Sequence, residues 1–148
     1  MIISFDLDDT IISKTKFPLE KETFVHRILG IERIRLGTKD LFKELRVRGH
    51  KIYIYTTSFR SKSKIRFMFY AYGICVDYVI NQKSHIKNVN GKSISKFPPQ
   101  FGIDIHIDDS QGVKMEGEKH GFRTIIVLDN DENWTSKIIE NLESRYDQ

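Results

Sequence analysis

Three carboxylates and a hydroxyl stand together near the N-terminus, Asp6-Leu7-Asp8-Asp9-Thr10, directly after the apolar run Ile2-Ile3-Ser4-Phe5. The run reads as a buried strand. Its acids then lie in the loop at its C-terminal end, the edge at which open α/β sheets bind ligands. Carboxylates at i and i+2, with a third beside them, repel one another there, and a divalent cation is the simplest compensation. The plain alternative is an acidic strand-to-helix turn in which Asp or Thr caps the next helix.

Two later segments bear on that choice. Lys51-Ile52-Tyr53-Ile54-Tyr55 is a second β-rich run and ends in Thr56-Thr57-Ser58. Ile103-Asp104-Ile105-His106-Ile107 is a third and ends in Asp108-Asp109-Ser110. In a parallel sheet the three ends lie side by side, so Asp6, Asp8, Thr56 and Asp108 converge on one crevice.

With these motifs in this order, the chain resembles the haloacid dehalogenase (HAD) superfamily of phosphohydrolases over nearly its whole length. That family carries D-x-D-x-T after its first strand, a Thr or Ser ending a hydrophobic strand, a Lys, and an acidic pair ending a later strand. The resemblance implies a magnesium-dependent phosphomonoester phosphatase that forms an aspartyl phosphate. Asp6 would be the nucleophile. Asp8 would protonate the leaving oxygen and then deprotonate the hydrolytic water. Mg2+ would meet the Asp6 and Asp108 carboxylates and the Asp8 carbonyl. Thr10 and Asp109 would support these groups, Asp109 by orienting a metal-bound water or a lysine. Thr56 and Thr57 would hold phosphoryl oxygens. Relatives acting as dehalogenases, phosphonatases or P-type ATPases lack the second carboxylate, so Asp8 favours a phosphatase over a phosphotransferase or mutase. A non-catalytic binding module on the same scaffold is the alternative.

The phosphate-stabilising lysine has four candidates, Lys83, Lys87, Lys92 and Lys96. Lys96 is preferred because Lys96-Phe97-Pro98-Pro99 precedes the acidic strand and is similar to the Lys-x-Pro pattern of many relatives. The basic residues Arg60, Lys62, Lys64 and Arg66 read as a solvated helix face, with contact to a phosphorylated macromolecule as the other reading. Ser13, Lys14 and Lys16 fall in the expected flap beside the site. Asp129 to Asn133 read as a cap for the last helix. His106 reads as a strand residue facing a helix. His50, His85 and His120 show no ligand spacing.

Alternating strands and helices must position these groups, and they argue for a three-layer, Rossmann-like α/β fold: a parallel five-stranded sheet with helices on both faces. Helices are expected at Lys39–Arg48, N-capped by Thr38, and at Lys64–Tyr72, Val113–His120 and Trp134–Arg145. The remaining strands are expected at Val76–Ile80 and Thr124–Leu128. Residues 11–37 read as a flap and linker in which Phe24, Val25, Ile28 and Leu29 have helical spacing. Residues 81–100 read as loop, since Asn88, Asn90, Gly91, Pro98 and Pro99 break periodicity. Neither stretch has room for a substantial cap domain. In the family, members without a cap often act on large substrates, phosphoproteins or nucleic-acid ends, or gain a lid by oligomerising, so a homodimer is one expectation. A response-regulator receiver fits less well: its acceptor Asp ends strand three, where this chain has Ile80-Asn81-Gln82.

With 148 residues the chain suits one domain. Lys plus Arg number 24 against 20 Asp plus Glu, net +4, with pI near 9.1. This mild basicity leaves a nucleic-acid partner open without favouring it. No apolar stretch approaches the roughly 20 residues of a bilayer span, and the N-terminus enters the first strand with no basic region, so the expected compartment is the cytoplasm. Cys75, the single cysteine, cannot form an internal disulfide and reads as a small core residue between Ile74 and Val76.

Overall fold

The computed structural model describes residues 1–144. Five parallel strands form one sheet in the order β3-β2-β1-β4-β5: β1 Ile2–Phe5, β2 Lys51–Tyr55, β3 Tyr78–Ile80, β4 Ile105–Asp108 and β5 Arg123–Ile126. Strand periodicity divides the side chains between two faces. Ile3 and Phe5 of β1, Ile52 and Ile54 of β2, and Ile105 and Ile107 of β4 share a core with Phe42, Phe69 and Ile138. These three come from α2 (Thr38–Val47), α3 (Lys62–Ala71) and α6 (Trp134–Glu143). Ile2, Tyr53 and Tyr55 point the other way, onto a smaller cluster with Ile80, Ile103 and Phe101. That face carries α4 (Gln82–Asn88), a 3-10 turn at Pro98–Phe101, and α5 (Gln111–His120).

α5 lies close to β5. A Cβ on Gly117 would sit 2.6 Å from the Phe122 carbonyl oxygen and 3.0 Å from Thr124 Oγ1, so only glycine permits this approach.

Between β1 and α2 the chain makes one tight turn, with the Ile11 and Ile12 N–H groups both donating to Leu7 O. Asp9 takes the turn's left-handed conformation at φ +65°. A flap follows, fixed by bridges from Ile12 to Ile34 and from Leu19 to Arg35. Within it, α1 spans only Phe24–Ile28. The helical spacing there was legible, but its meaning was not: Phe24, Val25, Ile28 and Leu29 are exposed, and His26 is the buried residue, donating through Nε2 to Ala71 O at 2.7 Å. Neither the flap stretch nor the segment from β3 to β4 carries a cap domain.

Several local expectations need correcting. Thr38 is not the N-cap of α2; Gly37 is, at φ +92°. Thr38 instead donates back to Arg35 O at 2.7 Å, and Glu20 reaches across from the flap to accept from the N–H groups of Gly37 and Lys39. A carboxylate from 17 residues away thus replaces the local cap. The stretch 81–100 is not all loop, for it holds α4 and the 3-10 turn. Asn81 starts α4 by accepting from Ser84 N at 3.1 Å, and the breakers at 88–91 end the helix rather than prevent it. β3 begins at Tyr78 rather than Val76, because Asp77 turns its carboxylate onto Ile52 N at 2.8 Å. β5 runs over Arg123–Ile126, and α3 and α5 each start two residues earlier than expected. Cys75 is exposed, in the turn that delivers the chain to the sheet edge, and not in the core. The expected end of the last helix, Arg145, lies outside the described residues. No described helix is long and apolar enough to cross a membrane.

Candidate active site

The site begins with strand register. Ser4 of β1 stands beside His106 of β4, and Phe5 beside Ile107. The next residues, Asp6 and Asp108, therefore sit side by side where β1 and β4 end, and Asp6 N donates to Ile107 O at 2.8 Å. The crossovers to β2 and β4 leave β1 in opposite directions, so this is the topological switch point of the sheet. Both carboxylates are buried.

Lys96 compensates them. Its side chain is 2% exposed, and its ammonium donates to Asp6 Oδ1 at 2.6 Å, to Tyr55 O at 2.8 Å and to Asp108 Oδ2 at 3.3 Å. Of the four lysines considered, this one enters the sheet edge, and contacts remote in sequence bring it there. Glu116 of α5 accepts from Ser95 N (3.0 Å), Ser95 Oγ (2.6 Å) and Lys96 N (3.3 Å). On the other side Phe97 N donates to the Tyr55 hydroxyl at 2.9 Å, and that hydroxyl meets His85 Nδ1 at 2.6 Å. His85 Nε2 faces Ile94 O at 3.1 Å, and a carbonyl only accepts, so Nε2 carries the proton and Nδ1 takes the phenol's. Burial pushes the Tyr55 phenol up and the His85 imidazole down, keeping both neutral.

His106, read from sequence as a strand residue facing a helix, does lie on β4, and it is also a partner of Asp108. Its Nε2 donates to Asp108 Oδ2 at 2.9 Å and its Nδ1 accepts from Ser4 Oγ at 2.7 Å. Burial drives His106 down to about 4. Burial alone would raise Asp108, but the hydrogen bond from His106 and the charge of Lys96 outweigh it and hold Asp108 at about 2. Asp6 responds oppositely: burial raises it to about 6, opposed by Lys96 and reinforced by the Asp108 charge. The signal for His106 was present in the pattern, since His106 and Asp108 are two apart on one strand face, but its partner Ser4 is 102 residues away.

Asp109 points into the same space. Its Oδ1 accepts from Thr10 Oγ1 at 3.1 Å, and burial raises its pKa. Carboxylate oxygens of Asp6, Asp108 and Asp109 all lie within 4.8 Å of one another. Three hard oxygen donors at that spacing, with one shared ammonium between two of them, suit magnesium. Asp109, expected in a supporting place, is thus grouped with Asp6 and Asp108 among the carboxylates that could hold a metal.

The remaining expected residues divide. Thr56 is buried at the end of β2, where its Oγ1 accepts from Ser58 N at 3.0 Å, leaving the hydroxyl proton available to a ligand. Thr57 is exposed. Asp8 is paired with Arg60 and not with Lys96. Its Oδ2 meets Arg60 Nη1 at 3.0 Å, and Arg60 grips Glu32 through Nε and Nη2 at 2.9 and 2.8 Å. Arg60 precedes α3 and is not on a solvated helix face.

A solved structure similar to this one is a HAD-superfamily hydrolase of subfamily IA, variant 1, from Geobacter sulfurreducens. The TM-score is 0.56 at 11% identity, covering 84% of this chain and 85% of that one. The fold is HAD-like. No protein-family model matches the chain, and no curated protein does.

Proposed function

We propose that this chain is a magnesium-dependent phosphomonoester phosphatase that works through an aspartyl phosphate on Asp6. The observation that carries this reading is the buried Asp6–Lys96–Asp108 contact at the switch point, with a second carboxylate, Asp8, two residues along the chain. The hydrolase fold neighbour supports it at the level of fold alone.

An Asp6 carboxylate oxygen bonds to phosphorus while the bond from phosphorus to the leaving alcohol breaks. Asp8 serves as the general acid toward that alcohol. In the second half Asp8 takes a proton from water, the water oxygen bonds to phosphorus, and the acyl phosphate opens to restore Asp6. With its pKa near 6, Asp6 is mostly the ionised nucleophile at neutral pH. Lys96 keeps it so and offsets charge on the phosphoryl oxygens, as a fixed cation needing no rearrangement. Thr56 donates its hydroxyl proton to one of those oxygens. Mg2+, held by Asp6 and Asp108 with Asp109 and the Asp8 carbonyl as further oxygens, would neutralise phosphoryl charge when bound.

Phosphate release from an aryl phosphate, with and without magnesium, tests the reading. Wild type is expected to turn over only with the metal, and Asp6→Asn to lose at least about a thousandfold of that rate. Turnover surviving Asp6→Asn would remove Asp6 as nucleophile.

A further inference from the structure

Beside Asp8, outside the Asp6–Lys96–Asp108 contact, a cavity of about 580 Å3 opens between the flap and Arg60. That volume lies within the usual range for small-molecule sites, roughly 300–1,000 Å3. The acid that protonates a leaving alcohol lines this cavity, so the alcohol's carbon skeleton belongs in it. Ile12 and Leu19 offer apolar wall to such a skeleton.

The charges in the cavity do not balance. Its three carboxylates are already engaged by two cations: Asp9 by Lys16 at 3.0 Å, and Asp8 and Glu32 together by Arg60. Lys14 and Arg33, which also line it, have no carboxylate partner among the described residues. Arg33 is oriented by donating through Nη2 to Glu20 O at 2.9 Å. Lys14 sits in a turn in which Ser13 Oγ accepts from the N–H groups of Thr15 and Lys16. Two cations with no carboxylate partner among the described residues, in a cavity also lined by Ser13 and Thr15, match an anionic phosphate group rich in acceptor oxygens, whether monoester or diester.

Resting on the phosphatase reading, we infer that this cavity is the leaving-group subsite, and that it selects alcohols carrying a second phosphate, held by Lys14 and Arg33. The substrate class is a bisphosphorylated alcohol, either a small bisphosphate or the phosphorylated end of a nucleic acid, in which the second phosphate is the neighbouring diester.

Binding separates this inference from catalysis. Titration calorimetry on the Asp6→Asn protein with magnesium compares adenosine 5′-monophosphate, adenosine 3′,5′-bisphosphate and a 5′-phosphorylated dinucleotide. At least one compound with a second phosphate should bind tenfold or more tighter than the monophosphate. The ratio should fall to near one in Lys14→Glu, and in Lys14→Ala combined with Arg33→Ala. Lys14 is exposed, so its variant tests the charge without disturbing the fold. Tighter binding of the bisphosphate marks a small substrate, and of the dinucleotide a nucleic-acid end. Equal binding of all three, no binding of any, or a preference untouched by both variants overturns the subsite. Phosphate release by wild type from the same compounds judges the phosphatase reading separately: turnover with equal binding sinks the subsite alone.

Discussion

Two groups of charges meet at the C-terminal edge of β1, two residues apart in sequence, and they are built in opposite ways. Around Asp6 the partners are buried and borne by strands or locked to them: Lys96 donates to two carboxylates and a carbonyl, and Asp108 is held by His106, itself held by Ser4. Around Asp8 the partners lie on loops and the flap, and the side chains of Asp8 and Glu32 are 51% and 38% exposed. A buried, fully paired cluster is costly to disturb and therefore keeps one geometry. A half-solvated cluster costs little to rearrange. Under the proposed phosphatase reading, the fixed tasks of nucleophile and charge offset fall to the first, and the adaptable task of fitting different leaving groups to the second.

The largest expected effect comes from breaking the buried group. Lys96→Met leaves Asp6 and Asp108 side by side without their shared cation. Loss of one partner from a buried charge cluster costs about 3–5 kcal/mol, to be read by urea denaturation without metal. Phosphate release should fall by roughly a hundredfold or more, as for loss of one preorganised charge-stabilising donor. A Lys96→Met protein as stable as wild type would mean that the Asp6 cluster is no more rigid than the Asp8 one.

Why Lys96 had to be preferred among four lysines on its Lys-Phe-Pro context alone is a matter of range. The convergence of Asp6 with Asp108 is written in local patterns, because apolar runs of strand length end in acids and parallel pairing puts such ends together. Thr56 is legible for the same reason. Lys96 is placed by Glu116, Tyr55 and His85, none within ten residues of it, and no periodicity records such contacts. His106 was missed because alternation tells which face a residue takes but not which neighbour awaits it there. α4 was hidden by its brevity and its flanking Asn and Gly residues. The cap of α2 was hidden because Glu20 reaches it from the flap. Arg60 was read by helical spacing, whereas its role comes from lying just ahead of α3, between Asp8 and Glu32.

A second effect, of about 2–3 kcal/mol, sharpens the account of the buried group through its pH response. His106 has a folded-state pKa near 4 against an ordinary 6.5, so its neutral form favours the fold above pH 6.5, and that contribution is lost as pH falls through 4. Asp6 has a folded-state pKa near 6 against 3.8, so its ionised form opposes folding above pH 6, and the opposition fades as pH falls towards 3.8. The two windows overlap and their signs are opposite, so in wild type they largely cancel between pH 6.5 and 4. Asp6→Asn removes one side of that balance. In chelator, the variant should lose stability more steeply than wild type across this range, measured as urea midpoints at successive pH values. Parallel curves would show that the two groups do not share one buried cluster.

The smallest effect should come from the rim. Arg60→Met removes the cation that spans Asp8 and Glu32, yet all three side chains are partly solvated, so the stability change should stay within about 1 kcal/mol. With an aryl phosphate, which has no second charge to place, turnover should remain within roughly tenfold of wild type, because Asp6, Lys96 and Asp108 are untouched and carry the charge stabilisation. Denaturation and phosphate-release assays on this protein, run beside Lys96→Met, compare the two regions directly. A loss as large as that of Lys96→Met would make Arg60 part of the fixed chemistry and erase the distinction between the two sides of β1.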